Sequence, residues 1–424
     1  MKSEYDVIVI GGGTAGVIAA VQAGRAGVQT LLVEKGEILG GTLTKAGISC
    51  PGPFYAWQKP AIAGIGYELV TQCAAEAGTP LPDYSTQEPC PQGRWAVHLN
   101  PHLYALICDQ AVKDAGVEVL FDAMCARIQE TDNTKNVTLC LKEGLRDFTC
   151  KVLIDATGDA NAVSLAGYPV IREKDVQPAT YTAEITGIPK LSDQELAALR
   201  ADYDAAVQKG LLRYTDSGWN ANGMDTRFLS TRGHNGNHVF LPGIDASTSA
   251  GISAYASEGR AAILRLLRFY KKYDAFKDLK LTWLSPICGI RETVRIVGKQ
   301  TVTQEKYLSG ERYGDDVCFA YYPVDLHDAS SYGRKKIYHE PEIVPTVPRG
   351  ALLPKDSRNL IAAGRCISAD RAALSALRVE AACMATGQAA GALAALAATT
   401  GTETSAVPME ELKNLLEKHG AIVP

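Results

Sequence analysis

Residues 7–10, Val7-Ile8-Val9-Ile10, are four apolar positions in a row. Such a run suits a parallel strand buried on both faces. Residues 14–27 are mostly Ala, Val and Ile and predict a helix, and residues 30–33 predict a second strand. Residues 46–60 are too rich in Gly and Pro for a regular element. Helical periodicity returns over 62–77, a short strand is expected at 95–99, and Pro101 opens a helix to Asp114 with Asn100 as its cap. Residues 116–121 read as a third parallel-type strand. Residues 121–150 alternate and carry turn residues, so they predict a small antiparallel meander. Residues 151–156 then form an apolar strand that returns to the first sheet.

The pattern changes over 160–348. Alternating segments at 180–185, 226–232 and 238–241 are interleaved with helices at 192–209 and 249–273. Beyond them, residues 360–363 form another parallel-type strand and 409–419 an amphipathic closing helix. Residues 381–398, AACMATGQAAGALAALAA, imitate a membrane span in length. They lack an aromatic belt and carry Thr386 and Gln388, so a buried helix pressed on a sheet is expected.

Between the first strand and the first helix stand Gly11, Gly13 and Gly16 at the G-x-G-x-x-G spacing. The first glycine permits the tight turn, the second lets backbone approach a pyrophosphate, and the third lets helix and strand pack closely. The helix N-terminus faces the diphosphate. Glu34 ends the second strand, roughly twenty positions on, where a carboxylate holds a ribose hydroxyl pair and repels a 2′-phosphate. This motif by itself does not choose between NAD and FAD. The fold class that follows is α/β: a Rossmann-like nucleotide domain with a parallel sheet, residues 1–160 plus 349–424, and an inserted α+β domain with antiparallel sheet, 161–348. The inserted part is the expected substrate domain.

Composition changes little in this picture. The 424 residues are 46% hydrophobic and 21% charged, with a formal net charge of -4. That balance gives no reason to expect nucleic acid or membrane as partners. The first apolar run is the nucleotide strand, so no signal peptide is expected there. The eleven cysteines lack paired or zinc spacing, which suggests reduced thiols in a cytoplasm.

Several further segments belong together: Gly40-Gly41-Thr42, Ile154-Asp155-Ala156-Thr157-Gly158-Asp159, residues 289–298 (GIRETVRIVG), 322–328 (YPVDLHD), 359–370 (NLIAAGRCISAD) and 383–391 (CMATGQAAG). With the glycine fingerprint they resemble, over nearly the whole chain, the FAD-dependent oxidoreductases related to the fumarate reductase and succinate dehydrogenase flavoproteins, of glutathione-reductase-like fold. The resemblance implies FAD, and no histidine can be singled out as a covalent flavin link, so non-covalent binding is expected. The resemblance also places Gly11, Gly13, Thr14, Ala15 and Gly16 at the diphosphate and Glu34 and Lys35 at the adenosine ribose. Gly41 and Thr42 pass close to the cofactor, and backbone near Cys125 meets the adenine. Ala156, Thr157, Gly158 and Asp159 crowd the diphosphate and ribityl region. Gly364 and Arg365 bind the ribityl chain, although an acidic residue commonly follows that glycine. A helix beginning near Met384, with Ala385, Thr386 and Gln388, aims its N-terminus at the flavin pyrimidine edge.

The chemistry has two candidate constellations. Arg291 and Arg295 are four apart and would share a helix face. They could clamp a carboxylate or polarise an enolate, or brace a domain junction through Glu292. Asp325 and His327 are two apart and would face the same way on a strand. They could be an acid/base pair or a structural hydrogen bond. Cys50 has no partner thiol within a few residues and reads as a packed thiol. Cys366 and Cys383 read as packed beside cofactor backbone. Tyr321 and Tyr322 could line the pocket or the core. His98, His102, His234, His238 and His339 lack metal spacing, so no metal is expected. A second nucleotide fingerprint and a C-x-x-x-x-C pair are both missing, so electrons would enter from substrate or an external carrier. The expected activity is an oxidoreductase exchanging a hydride between flavin N5 and a small polar metabolite, in the dehydrogenase direction. A reductase of an activated C=C bond, or an electron-transfer subunit of a complex, are the alternatives. Oligomeric state has no signal in the sequence.

Overall fold

A computed structural model describes residues 2–85, 95–131, 134–220, 222–226, 229, 239–328 and 334–424. Most of the strand expected at 226–232, with His234 and His238, lies outside the described residues. The first apolar run becomes strand Glu4–Ile10, parallel to Thr30–Val33 on one side and to Gly144–Asp155 on the other. Neighbours on both edges and helices on the faces explain why Val7, Ile8 and Val9 are 0% exposed with no polar alternation. Glu118–Leu120 extends the sheet beyond Thr30–Val33. On the far side come Lys135–Leu141 and then Met124–Glu130.

Strand Gly144–Asp155 corrects one expectation. The last strand of the meander and the returning strand are not separate elements but one 12-residue strand. Its first half pairs antiparallel with Lys135–Leu141, and its second half runs parallel to Glu4–Ile10 and to Leu360–Ala362. No Gly or Pro interrupts residues 145–155, so nothing breaks the strand. A second correction concerns 95–99. This segment is an extended loop whose Val97 and Leu99 amides donate to the carbonyls of Pro51 and Ser49.

Helix Thr14–Arg25 follows the first strand, and helix Glu380–Thr400 lies against it. A Cβ added at Gly387 would sit 2.3 Å from the Ala15 carbonyl oxygen, and one at Gly391 2.3 Å from that of Ala19. The Ala/Gly composition therefore serves a close helix–helix contact more than a helix–sheet one. Glu380–Thr400 is long and apolar enough to cross a membrane, but 89% of its most apolar window is buried inside the protein. The fold is α/β throughout, with this parallel-containing sheet and several short antiparallel ladders in the middle of the chain.

Two of those ladders matter for the site: Val170–Arg172 with Val294–Ile296, and Val324–His327 with Arg334–Ile337. Helix Asp193–Gln208 starts with a Ser192/Glu195 capping box, and with helix Ser249–Tyr270 it encloses a separate apolar cluster that includes Tyr181, Tyr203 and Phe269. Side chains such as Val302, Val317 and Val347 join the core of the first sheet instead.

Candidate active site

The glycine turn is built so that each glycine is needed for a different reason. Gly11 has φ +105°, and a Cβ there would lie 2.5 Å from the Ala156 carbonyl oxygen. At Gly16 a Cβ would lie 1.7 Å from the Gly11 carbonyl oxygen. At Gly13 the nearest atom is Gly41 Cα at 3.9 Å, so the backbone there faces open space. No side chain caps the helix that begins at Thr14. An uncapped N-terminus behind an open glycine is what a diphosphate needs. Thr14 Oγ1 donates to the Gly40 carbonyl at 3.3 Å, which ties the Gly40–Gly41–Thr42 loop beside the turn. Ala15 meets Gly364, whose added Cβ would lie 2.9 Å from the Ala15 Cβ.

Glu34 is buried. It accepts from the Gly12 and Gly36 amides, both at 2.8 Å, and from Lys45 Nζ at 2.5 Å. Lys45 was not singled out from the sequence, whereas Lys35 is exposed. The backbone entering strand Met124–Glu130 lies alongside, since the Ala123 amide donates to the Glu34 carbonyl at 3.2 Å. That brings Cys125 near the adenosine end.

Across the sheet, Asp155 is fully buried and accepts from Thr157 N, Thr157 Oγ1 and Val163 N at 2.7–3.0 Å. These bonds fold the Ala156-Thr157-Gly158-Asp159 turn. Asp159 Oδ1 then accepts from Arg365 and from Thr293 Oγ1, each at 2.7 Å. The departure from the acidic pattern at Arg365 is thus balanced by Asp159. Gly364 N donates to Thr386 Oγ1 at 3.1 Å. Together these groups form a backbone-lined, charge-balanced cradle at the carboxyl ends of the strands, and they fit FAD.

Three expectations around helix Glu380–Thr400 are corrected. It starts at Glu380, with Val379 as its cap, not near Met384. Thr386 faces Gly364, but Gln388 is two residues on, about 200° around the helix, and faces the other way. Its amide accepts from Ile65 N at 3.0 Å and donates to Gln22 at 3.1 Å and to the His419 carbonyl at 3.2 Å. Ala385 shares that face and lines a recess with Ile62, Leu416 and Ala421. Both serve the core.

The arginines also divide. The segment holding Arg291 and Arg295 is extended, not helical, because residues 294–296 pair with residues 170–172. Arg295 is buried against Glu292, at 3.1 Å, and Glu173. Glu292 also takes Arg371 at 3.3 Å and the Gln177 amide at 2.9 Å. Arg295 is therefore a brace. Arg291 points elsewhere, donating to the Pro178 carbonyl at 2.7 Å. Its guanidinium lies 5.5 Å from the Trp219 ring centre and 5.9 Å from that of Phe240. Burial, helped by the Arg378 charge, lowers it to about 9.

Asp325 and His327 do share a side of strand Val324–His327, with Asp325 Oδ2 3.6 Å from His327 Nε2. That is beyond hydrogen-bond range. The carboxylate's partner is Arg334, bound at 2.5 and 2.8 Å. Burial would raise the Asp325 carboxyl, but the Arg334 bonds, with His327 beside them, hold it well below the usual carboxylate range. Burial and the Arg291 and Arg378 charges, against the pull of Asp325, lower the His327 imidazole to about 3. His327 is thus neutral near pH 7.

Arg334 and Arg378 were missed in the sequence. Arg378 joins helix Arg371–Leu377 to the next helix, and its buried Nε has no hydrogen-bond partner among the described residues. Neither residue belongs to a periodic pattern, so no local signal marked them. Tyr322 is close to these charges and half-buried. Burial also pushes Cys50 up to about 12 and Glu380 up to about 7. Cys50 therefore stays a thiol. No metal-binding cluster occurs among the described residues.

The family described as FAD dependent oxidoreductase matches residues 6–416. A dihydrolipoyl dehydrogenase from Bacillus subtilis (strain 168) is 51% identical over 47 residues, 11% of this chain and 10% of that protein's length. A geranylgeranyl bacteriochlorophyll reductase-like structure from Thermoplasma acidophilum aligns over 98% of this chain and 84% of its own, at 13% identity and TM-score 0.43. Thioredoxin reductase from Lactococcus lactis aligns over 36% of this chain and 35% of its own, at 22% identity and TM-score 0.23. On the match that spans residues 6–416, the chain belongs to the FAD dependent oxidoreductase family, and it is a flavoenzyme with FAD as cofactor.

Proposed function

We propose that this enzyme oxidises a small polar metabolite that carries a carboxylate, passing its electrons to non-covalently held FAD and then to an external acceptor. FAD, when bound, exchanges two electrons as a hydride at its N5 edge. The observation that carries the reading is the charge arrangement at His327. Arg291 and Arg378 act on each other electrostatically, and neither has a carboxylate partner among the described residues. Two such guanidiniums repel. An anion between them removes that repulsion and gains charge-assisted hydrogen bonds. Arg334 is spoken for by Asp325.

A neutral His327 is placed to accept a proton, not to donate one, which favours the dehydrogenase direction. A substrate carboxylate nearby raises its proton affinity, so the base strengthens once substrate is in place. One observation favours the reverse reaction, reduction of an activated C=C bond in the manner of fumarate reductase. Arg291, lowered to about 9, gives up a proton more readily than arginine usually does.

Calorimetric titration of the FAD-loaded protein with acetate, malonate and acetamide tests the anion. Carboxylates should bind, and Arg378→Met should weaken them at least about tenfold. Acetamide binding as well as acetate would overturn the reading. Direction is then read anaerobically, by whether 2-hydroxy and 2-amino acids bleach the flavin or 2-enoates reoxidise it.

A further inference from the structure

We propose that Trp219 is a positioning residue, whose indole roofs His327 against water and sits between the guanidiniums of Arg291 and Arg334. This rests on the reading above for its purpose, because a roofed imidazole beside an anion site is a poised base. Three segments among the described residues put a side chain against this ring. The His327 imidazole stands edge-to-face to it, with centroids 4.8 Å apart and an interplanar angle of 84°. The Arg334 guanidinium lies 5.2 Å from the ring centre and that of Arg291 5.5 Å. Phe240 completes the enclosure, 6.1 Å from the imidazole and 5.9 Å from Arg291. An aromatic face attracts cations through its quadrupole. Here it is shared by two guanidiniums in a site where Asp325 balances only one of them.

The loop that carries Trp219 is held in place. Asp216 is buried and takes Arg265 at 2.7 and 2.9 Å. Ser217 Oγ accepts from Asp225 N at 2.9 Å, and Trp219 N donates to Asp225 Oδ2 at 3.2 Å. Gly218 sits at φ +148°, and a Cβ there would lie 2.5 Å from Asp225 Oδ2. So the indole is presented from the middle of the chain onto a histidine held by a different hairpin. The charged groups around that imidazole are Asp325 on its own strand, Arg334 on the paired strand, Arg291 on the extended segment and Arg378 at the end of helix Arg371–Leu377. Ser375 and Gln177 bind only the backbone amides of Asp325 and His327. None of these supplies a second roof.

The test is the NMR titration of the His327 ring in the full-length, FAD-loaded protein, assigned with His327→Gln and run without substrate. In the parent protein the ring should show no titration between pH 5 and 8. Trp219→Ala should raise its midpoint by at least one pH unit, a tenfold gain in proton affinity. Trp219→Phe should restore the parent behaviour. An unchanged midpoint in a folded, FAD-containing Trp219→Ala protein overturns the proposal. So does a Trp219→Phe protein that titrates like Trp219→Ala, and so does a parent ring that titrates near 6.5. The last needs no variant. Because no substrate is present, a failed carboxylate titration sinks the functional reading and leaves this one standing.

Discussion

The two ends of the site use different materials. At the nucleotide end, the lining is backbone: Gly11, Gly13 and Gly16, the open helix terminus behind them, and the turn folded by Asp155. At the His327 end it is side chain: Arg291, Arg334, Arg378 and Trp219, each from a different segment. The same contrast appears in two glutamates. Glu34 is saturated by two amides and Lys45, whereas Glu380 lies at a helix start near Arg378 with no ion pair among the described residues. A ligand common to all members of a family can be met by backbone, which any sequence supplies once the glycines permit it. A substrate particular to one enzyme needs side chains, which can change without disturbing the sheet.

The contrast can be broken most severely at the glycines. Gly16→Ala puts a methyl 1.7 Å from a backbone oxygen that cannot move aside. The loss should exceed the roughly 1–3 kcal/mol of ordinary overpacking, with little folded protein recovered. Gly13→Ala meets nothing closer than 3.9 Å in the apoprotein. Its melting temperature without FAD should match the parent, while FAD affinity falls at least about tenfold because the methyl fills the diphosphate approach. Equal melting of the two variants would mean that Gly13 is not the open position.

A smaller effect separates the two arginines of residues 289–298. Arg295→Met leaves Glu292 buried with the longer Arg371 contact as its one remaining ion pair among the described residues, beside the Gln177 amide. It should cost about 3 kcal/mol in denaturant unfolding, the lower end for breaking a buried pair. Carboxylate affinity should stay within about twofold, since the phenotype is structural. Arg378→Met should do the reverse. If both variants lose anion binding, the division between brace and clamp fails.

That division marks where the sequence stops being informative. The nucleotide half is legible because its signals are local: an apolar run, three glycines, an alanine helix and an acid follow one another in 30 residues, 5–34. The strand pair Asp325/His327 was legible for the same reason, by period two. Arg291 and Arg295 were misplaced because a spacing of four suits a helix, yet Thr293, Val294 and Ile296 are β-branched and residues 294–296 pair with residues 170–172. Arg378 and Trp219 carry no periodicity at all. One ends a helix and the other sits in a loop, and only the fold brings them to His327. Ala385 and Gln388 erred by rotation: the motif was right, but a helix offers only one face to a ligand.

The smallest expected effect lies in the pH dependence of stability, where the two glutamate environments diverge. Glu380 starts a helix, whose dipole would favour a carboxylate there. Burial outweighs it and raises the group to about 7 from an ordinary 4.5. The folded state therefore holds this proton more tightly than the unfolded chain. The resulting stabilisation is full below pH 4.5 and is lost as pH rises through 7. His327 works in the opposite sense: lowered to about 3, it contributes stability above 6.5 that is lost as pH falls toward 3. A parent melting curve mixes the two, but the difference between Glu380→Gln and parent isolates the first. Glutamine cannot ionise, so the variant apoprotein should gain roughly 1–3 °C over the parent at pH 8 relative to pH 5. A difference that is flat with pH would mean that the fold does not tighten the hold of Glu380 on its proton, and would erase the distinction between the two ends.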